Sequence, residues 1–181
     1  PLVDHCTRRA IETVLEAHGY DSNEEGVGSR FFIDKISEGI GLIAAAFHPR
    51  PVVIRFSDFK SNEYIELIGG EHCETHEENP MLGIRGAVRY LSHVHAKCFE
   101  MEMTAVKKVI RTMGLDNVQV MVPFVRTKNE MQKVVELLKS NDVTCKCLMM
   151  CEIPANCLLA NEFLQHCNGF SIGSNDLTML T

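Results

Sequence analysis

Leu148-Met149-Met150-Cys151-Glu152-Ile153-Pro154, a helix-like segment over Asn156–His166, and then Gly169-Phe170-Ser171-Ile172-Gly173-Ser174-Asn175-Asp176 read as one β-α-β unit. Leu148–Cys151 and Gly169–Ile172 are short apolar runs of strand length, and a helix between two such strands makes them parallel. Parallel strands leave their C-termini at one end of the sheet, so Glu152 and Asp176 are expected to emerge there together. Two hard oxygen ligands in that place suit Mg²⁺, which takes one or two carboxylates plus oxygens of a substrate. The alternative is a surface Glu closing one strand and an unrelated Asp opening a helix.

The same alternation extends upstream. Val118–Val122 is a strand ended by Pro123, and Thr127 is placed as the N-cap of a helix through Leu138. The following strand occupies Cys145–Cys151. Val52–Phe56 is a β-branched run that carries Arg55, and Met81–Gly86 is a brief apolar segment carrying Arg85, counted as an irregular strand. The helices predicted between them include a long one over Leu91–Met113, stopped by Gly114. Before residue 49 the pattern is helical. Ile11, Val14 and Leu15 share one helical face, Gly19–Gly28 is a polar break, and a second helix over Phe31–Phe47 stops at Pro49 and Pro51. Gly69–Pro80 reads as a long, acidic, solvated loop.

Roughly five strands alternating with helices predict an α/β fold with parallel strands. A closed (β/α)8 barrel takes about eight strands and roughly 200 residues or more. The expectation is therefore an incomplete (β/α)8 TIM-type barrel over residues 49–181, preceded by an N-terminal helical segment over residues 1–48. Pro1 in place of Met, and an end just after a strand, read as a piece of a longer chain.

Composition narrows the function. The 181 residues are 45% hydrophobic and 23% charged, with a formal net charge of −6. That balance, with no Lys/Arg cluster, argues against nucleic-acid binding. The longest apolar run, Ile40–Phe47, falls short of the roughly 18 residues of a membrane span. No secretory leader is visible, and the eight cysteines are scattered through strand and helix patterns. They read as free, buried thiols in a cytoplasmic, reducing setting. Met101, Met103 and Met113 read as packing residues of the long helix.

Arg55, Arg85, Glu152 and Asp176 all fall at or near strand C-termini, the face where barrels of this kind carry their active sites. Two guanidinium forks facing a carboxylate-held cation make a pocket for a small di- or trianion. Each Arg taken alone is equally readable as a rim salt bridge. Gly173-Ser174-Asn175-Asp176 adds a glycine that lets backbone approach a ligand and N–H groups that can face an oxyanion. His72-Cys73 with His76 has clip-like spacing, but no second pair completes a structural zinc site. No nucleophile elbow, P-loop or dinucleotide fingerprint is present.

The stretches Val53-Ile54-Arg55-Phe56-Ser57-Asp58-Phe59-Lys60-Ser61-Asn62-Glu63-Tyr64, Glu78-Asn79-Pro80-Met81-Leu82-Gly83-Ile84-Arg85-Gly86, Met121-Val122-Pro123-Phe124-Val125-Arg126-Thr127, Met149–Pro154 and Gly169–Thr178 resemble the C-terminal barrel of the phosphoenolpyruvate (PEP)-utilising enzymes. They occur in order over residues 29–181. Asp58–Tyr64 favours the branch that makes PEP from ATP, pyruvate and water. The resemblance implies a (β/α)8 barrel binding Mg²⁺ and pyruvate or PEP, and a phosphohistidine on a separate domain that delivers the phosphoryl group. By position, the resemblance implies that Arg55 binds the substrate's phosphoryl or carboxylate end, that Arg85 assists it, and that Glu152 and Asp176 hold the metal. Gly173, Ser174 and Asn175 line the substrate pocket.

The phosphohistidine and ATP-binding domains of the parent enzyme are implied partners, and a homodimer stays open. The family's proton-transferring cysteine, in a Cys-Gly-Gln motif, belongs to a segment after Asp176 that this sequence does not contain. Cys151 is not that residue, so no catalytic residue is assigned and the chain alone is expected to be incomplete for turnover. The competing expectation is a non-catalytic remnant that binds Mg²⁺ and a carboxylate, or another polypeptide.

Overall fold

The computed structural model describes residues 3–181. Helix α1 (His5–Ala17) starts at Asp4, whose Oδ1 accepts the Thr7 N–H at 2.9 Å. Helix α2 (Val27–Phe47) begins earlier than the periodicity suggests, because Gly26 takes a left-handed φ of 74° and turns the chain directly into it. His48 closes α2, and Pro49 and Pro51 prevent its continuation.

Strands β1 (Val52–Arg55), β2 (Val118–Val122), β3 (Cys147–Cys151) and β4 (Phe170–Ile172) form one sheet in that order, every neighbouring pair parallel. The register pairs Val52 with Val118, Met121 with Leu148 and Cys151 with Ile172. The chain is thus an α/β fold, an incomplete barrel with N-terminal helices. In β2, Val118, Val120 and Val122 are buried in alternation. They join one core with Phe99, Met103, Val106 and Val109 of α5 (Ala96–Arg111) and Met131, Val134 and Leu138 of α6 (Lys128–Ser140). Helix α2 packs against α5 through Ile40 and Ala44. Among the described residues no helix is long and apolar enough to cross a membrane.

The remaining helices are short: α3 (Ser61–Ile65), α4 (Ala87–Tyr90), α7 (Pro154–Leu158), α8 (Ala160–Phe163) and α9 (Ser174–Met179). Several expectations change here. Met81–Gly86 is not a strand, so the described sheet has four strands and not five. The segment is held crosswise instead: Arg126 donates to the carbonyls of Gly83 and Arg85 at 2.6 and 3.1 Å, and the Ala87 N–H to that of Pro123 at 3.2 Å. The helix expected over Leu91–Met113 is preceded by α4 and a turn, and it ends at Arg111. The helix expected over Asn156–His166 is broken at Leu159 into α7 and α8.

The acidic loop is only partly solvated. Glu74 pairs with the buried Arg89, and Glu77 accepts from the Ser61 hydroxyl at 2.7 Å and the Ile84 N–H at 3.0 Å. Of the cysteines, all free, only Cys147 and Cys151 are buried, while Cys6, Cys73, Cys98 and Cys157 are exposed. The buried-thiol reading therefore fails for half of them. Met103 packs in the core as expected, but Met113 lies past the end of α5 and is exposed.

Asn156 ties two strand ends together. Its Nδ2 donates to Val125 O at 2.8 Å, while its Oδ1 accepts the N–H groups of Glu152 and Ile153, each at 3.2 Å. Its side chain is fully buried. Asn156→Ala should orphan two N–H groups and a carbonyl, costing about 3 kcal/mol in urea unfolding, against about 1 kcal/mol for removing the Thr127 cap in Thr127→Ala.

Candidate functional site

Three segments meet at the C-terminal edge of the sheet. Arg55 ends β1, Asp58 follows it, Arg85 arrives on the crosswise segment, and Asp176 lies in the first turn of α9 after β4. They border a cavity of about 510 Å³, also lined by Lys60 and Asn175.

Arg85 sits at the centre, only 5% exposed. Its Nε and Nη2 donate to Asp58 Oδ1 and Oδ2 at 2.9 and 3.0 Å. On the other side Nη1 and Nη2 donate to Asp176 Oδ1 and Oδ2 at 2.8 and 3.2 Å. One planar guanidinium thus satisfies two carboxylates, and its carbon lies 4.4 Å from the Phe124 ring centroid. Burial acts to lower the Arg85 pKa, but the bonds to Asp176 and Asp58 outweigh it and raise the pKa overall. Arg55 is more open, reaching Asp58 Oδ2 at 3.2 Å with half its side chain in solvent.

Glu152 lies behind this pair and is 0% exposed. Its Oε1 accepts the Phe124 N–H at 2.6 Å, while Oε2 is buried with no hydrogen-bond partner. Burial pushes its pKa up to about 7; the Phe124 bond opposes this, and the charges of Asp58 and Asp176 add to it. Gly173 is required beside it, since a Cβ there would stand 2.7 Å from Glu152 Cβ and Oε2. Ser174 and Asn175 are exposed, and Asn175 borders the cavity.

Two residues of the site carry no role in the reading of the sequence alone. Asp58, whose side chain is 2% exposed, links both arginines. Its spacing from Arg55 was the available signal. Phe124 holds a left-handed φ of 48°, which turns its N–H toward Glu152 and sets its ring beside Arg85 and Arg126. A side chain in that conformation is strained, and such strain gathers at functional sites. The His72-Cys73/His76 clip does not assemble: His72 Nε2 is instead 2.8 Å from Asp4 Oδ2 and 3.8 Å from Glu71 Oε1 at the surface.

The raised Glu152 pKa has a signed consequence. Between the ordinary value of 4.5 and about 7 the folded chain holds a proton that the unfolded chain has lost. Metal-free stability should therefore fall as pH rises through that window. Urea unfolding at pH 5 and pH 8 should show a pH-dependent loss about 1–3 kcal/mol larger for the native sequence than for Glu152→Gln, at roughly 1.4 kcal/mol per unit. Equal pH profiles would contradict the assignment.

Comparison with known proteins adds to this geometry. The family model described as PEP-utilising enzyme, PEP-binding domain, matches residues 21–181. A phosphoenolpyruvate synthase of Pseudomonas aeruginosa is 58% identical over 156 residues, covering 83% of this chain and 20% of that protein. The phosphoenolpyruvate synthase of Escherichia coli (strain K12) is 52% identical over 167 residues, covering 90% of this chain and 20% of that protein. A probable phosphoenolpyruvate synthase of Staphylothermus marinus is 48% identical over 161 residues, covering 87% and 19%. The chain spans about 20% of the length of these curated relatives.

Proposed function

The chain belongs to the PEP-utilising enzymes, in their PEP-binding domain, and on that premise we propose that it is the pyruvate/PEP- and Mg²⁺-binding portion of a phosphoenolpyruvate synthase. The parent reaction is the conversion of ATP, pyruvate and water to AMP, PEP and phosphate through a phosphohistidine. The phosphohistidine and ATP-binding domains of the parent are the partners in this reading, and the compartment is the cytoplasm. Residues 1–48, helical in their described part, are taken as the segment leading into the barrel portion over residues 49–181; the packing of α2 on α5 and β1 supports treating them as one body.

The observation that carries the proposal is the buried Glu152 Oε2, without a partner behind a cavity bordered by Arg55, Arg85 and Asp176. An orphaned buried carboxylate oxygen that feels the charges of Asp58 and Asp176 fits a divalent cation, which Glu152 and Asp176 would hold. Bound Mg²⁺ supplies Lewis-acid stabilisation of the enolate oxygen. Arg55, the more open guanidinium, receives the phosphoryl or carboxylate end of the substrate. Arg85 has a positioning task as well, since it keeps Asp58 and Asp176 fixed across the cavity. Gly173 admits the ligand by leaving room beside Glu152, and Asn175 borders the pocket with the exposed Ser174 next to it in the chain.

The non-catalytic reading has one observation in its favour. Ile172, on the β4 edge of the open sheet, is 74% exposed, and such edges pair with other chains.

Calorimetric titration of oxalate, an enolpyruvate mimic, separates the two. Binding should require Mg²⁺ and weaken by about tenfold or more in Asp176→Asn. A folded chain that ignores oxalate with Mg²⁺ present would overturn the substrate-site proposal and favour the interaction reading.

A further inference from the structure

One pair of nucleophilic side chains stands next to this site without a part in it. Cys151 ends β3, immediately before Glu152, and Cys157 lies in α7. Their sulfurs are 3.6 Å apart. Cys151 is buried and Cys157 is exposed. A disulfide places its sulfurs about 2.05 Å apart, so closure needs a displacement of only about 1.5 Å.

We propose that Cys151 and Cys157 form a dithiol modification site, oxidised to an intramolecular disulfide by low-molecular-weight disulfides of the glutathione class. The exposed Cys157 sulfur attacks one sulfur of the oxidant, forming a mixed disulfide and releasing one thiol. The Cys151 sulfur then attacks Cys157, forming the internal S–S bond and releasing the second thiol. The two protons of the protein thiols end on the two released thiols, and the oxidant takes up the two electrons. Access orders the steps: the oxidant reaches Cys157 from solvent, whereas Cys151 is reached only by its neighbour.

The bridge would span the stretch that orients Glu152. Asn156 Oδ1 holds the N–H groups of Glu152 and Ile153, and Asn156 stands next to Cys157 in α7. Drawing Cys157 toward β3 moves Asn156 with it, and Glu152 has no free space in which to adjust, being fully buried against Gly173. Oxidation should therefore weaken ligand binding, a consequence that rests on the function proposed above, whereas the bridge itself does not.

The full chain is incubated with oxidised glutathione and mapped by non-reducing mass spectrometry, beside Cys151→Ser and Cys157→Ser. The native sequence should show a Cys151–Cys157 bridge and no glutathione on either residue. Cys151→Ser should trap one glutathione on Cys157, and Cys157→Ser should show neither bridge nor adduct at Cys151. A stable glutathione adduct at Cys157 in the native sequence, or bridging through other cysteines, would overturn the site. Oxalate titration with Mg²⁺ should then show about tenfold weaker binding after oxidation, restored by dithiothreitol. Equal affinity in both forms would overturn the coupling to Glu152. Oxalate ignored by the reduced chain is a failure of the substrate site alone, since the bridge is read by mass.

Discussion

A buried guanidinium between two carboxylates is the constraint around which the rest of this structure is arranged. Arg85 has five donors and no way to discard its charge, so burial obliges the fold to surround it with acceptors. Asp58 comes from the loop after β1 and Asp176 from the helix after β4, which means that the two edges of the sheet are joined through one side chain. The crosswise path of residues 81–86 follows from the same need, because a regular strand would not present Arg85 across the strand ends. Gly86 allows that path: its α-carbon passes so near the Pro123 carbonyl that a Cβ would lie 2.5 Å from it. Removing one partner of such a pair leaves a buried charge uncompensated, a cost of about 3–5 kcal/mol.

Around Arg85 the negative charges outnumber the positive ones that are fully engaged. Asp58 and Asp176 share a single buried cation, and Glu152 adds a third carboxyl that accepts one N–H. Burial holds Glu152 toward its neutral form, and the charges of Asp58 and Asp176 add to that effect. A divalent cation would act in the opposite sense, with Glu152 ionised. In the reading proposed here, proton and metal would be alternative occupants of one electrostatic position, beside which Phe124 holds a left-handed backbone.

Much of this was legible in the residues. Strand β2 runs over Val118–Val122 as its alternation implies, and Thr127 caps α6, its side chain accepting from the Glu130 N–H at 3.2 Å. The convergence of Arg55 and Asp176 on one cavity follows from strands with a common direction, whereas Arg85 reaches it on a segment that is not a strand. Other features depend on long-range partners that local patterns do not carry. Met81–Gly86 has the apolar content of a strand, yet Arg126 takes its carbonyls from outside. Asp58 resembles any polar loop residue until Arg85, 27 positions away, is folded against it. The break at Leu159 is hidden because the flanking residues have ordinary helical character. The exposure of Cys157 runs against its residue type, since free thiols are usually buried.

The chain separations within the site also bear on how the molecule assembles. Strands β2, β3 and β4 follow one another closely, so their pairings close modest loops. The bonds from Arg85 to Asp176 join residues 91 apart, and those to Asp58 depend on β1 having found β2 across the whole of α3–α5. Contacts of long sequence separation form after local ones, because their loop entropy must be met before they contribute. The ion network can be complete only when β1 and β4 are both in place, so an intact Arg85 cluster reports that both ends of the sheet have reached their positions.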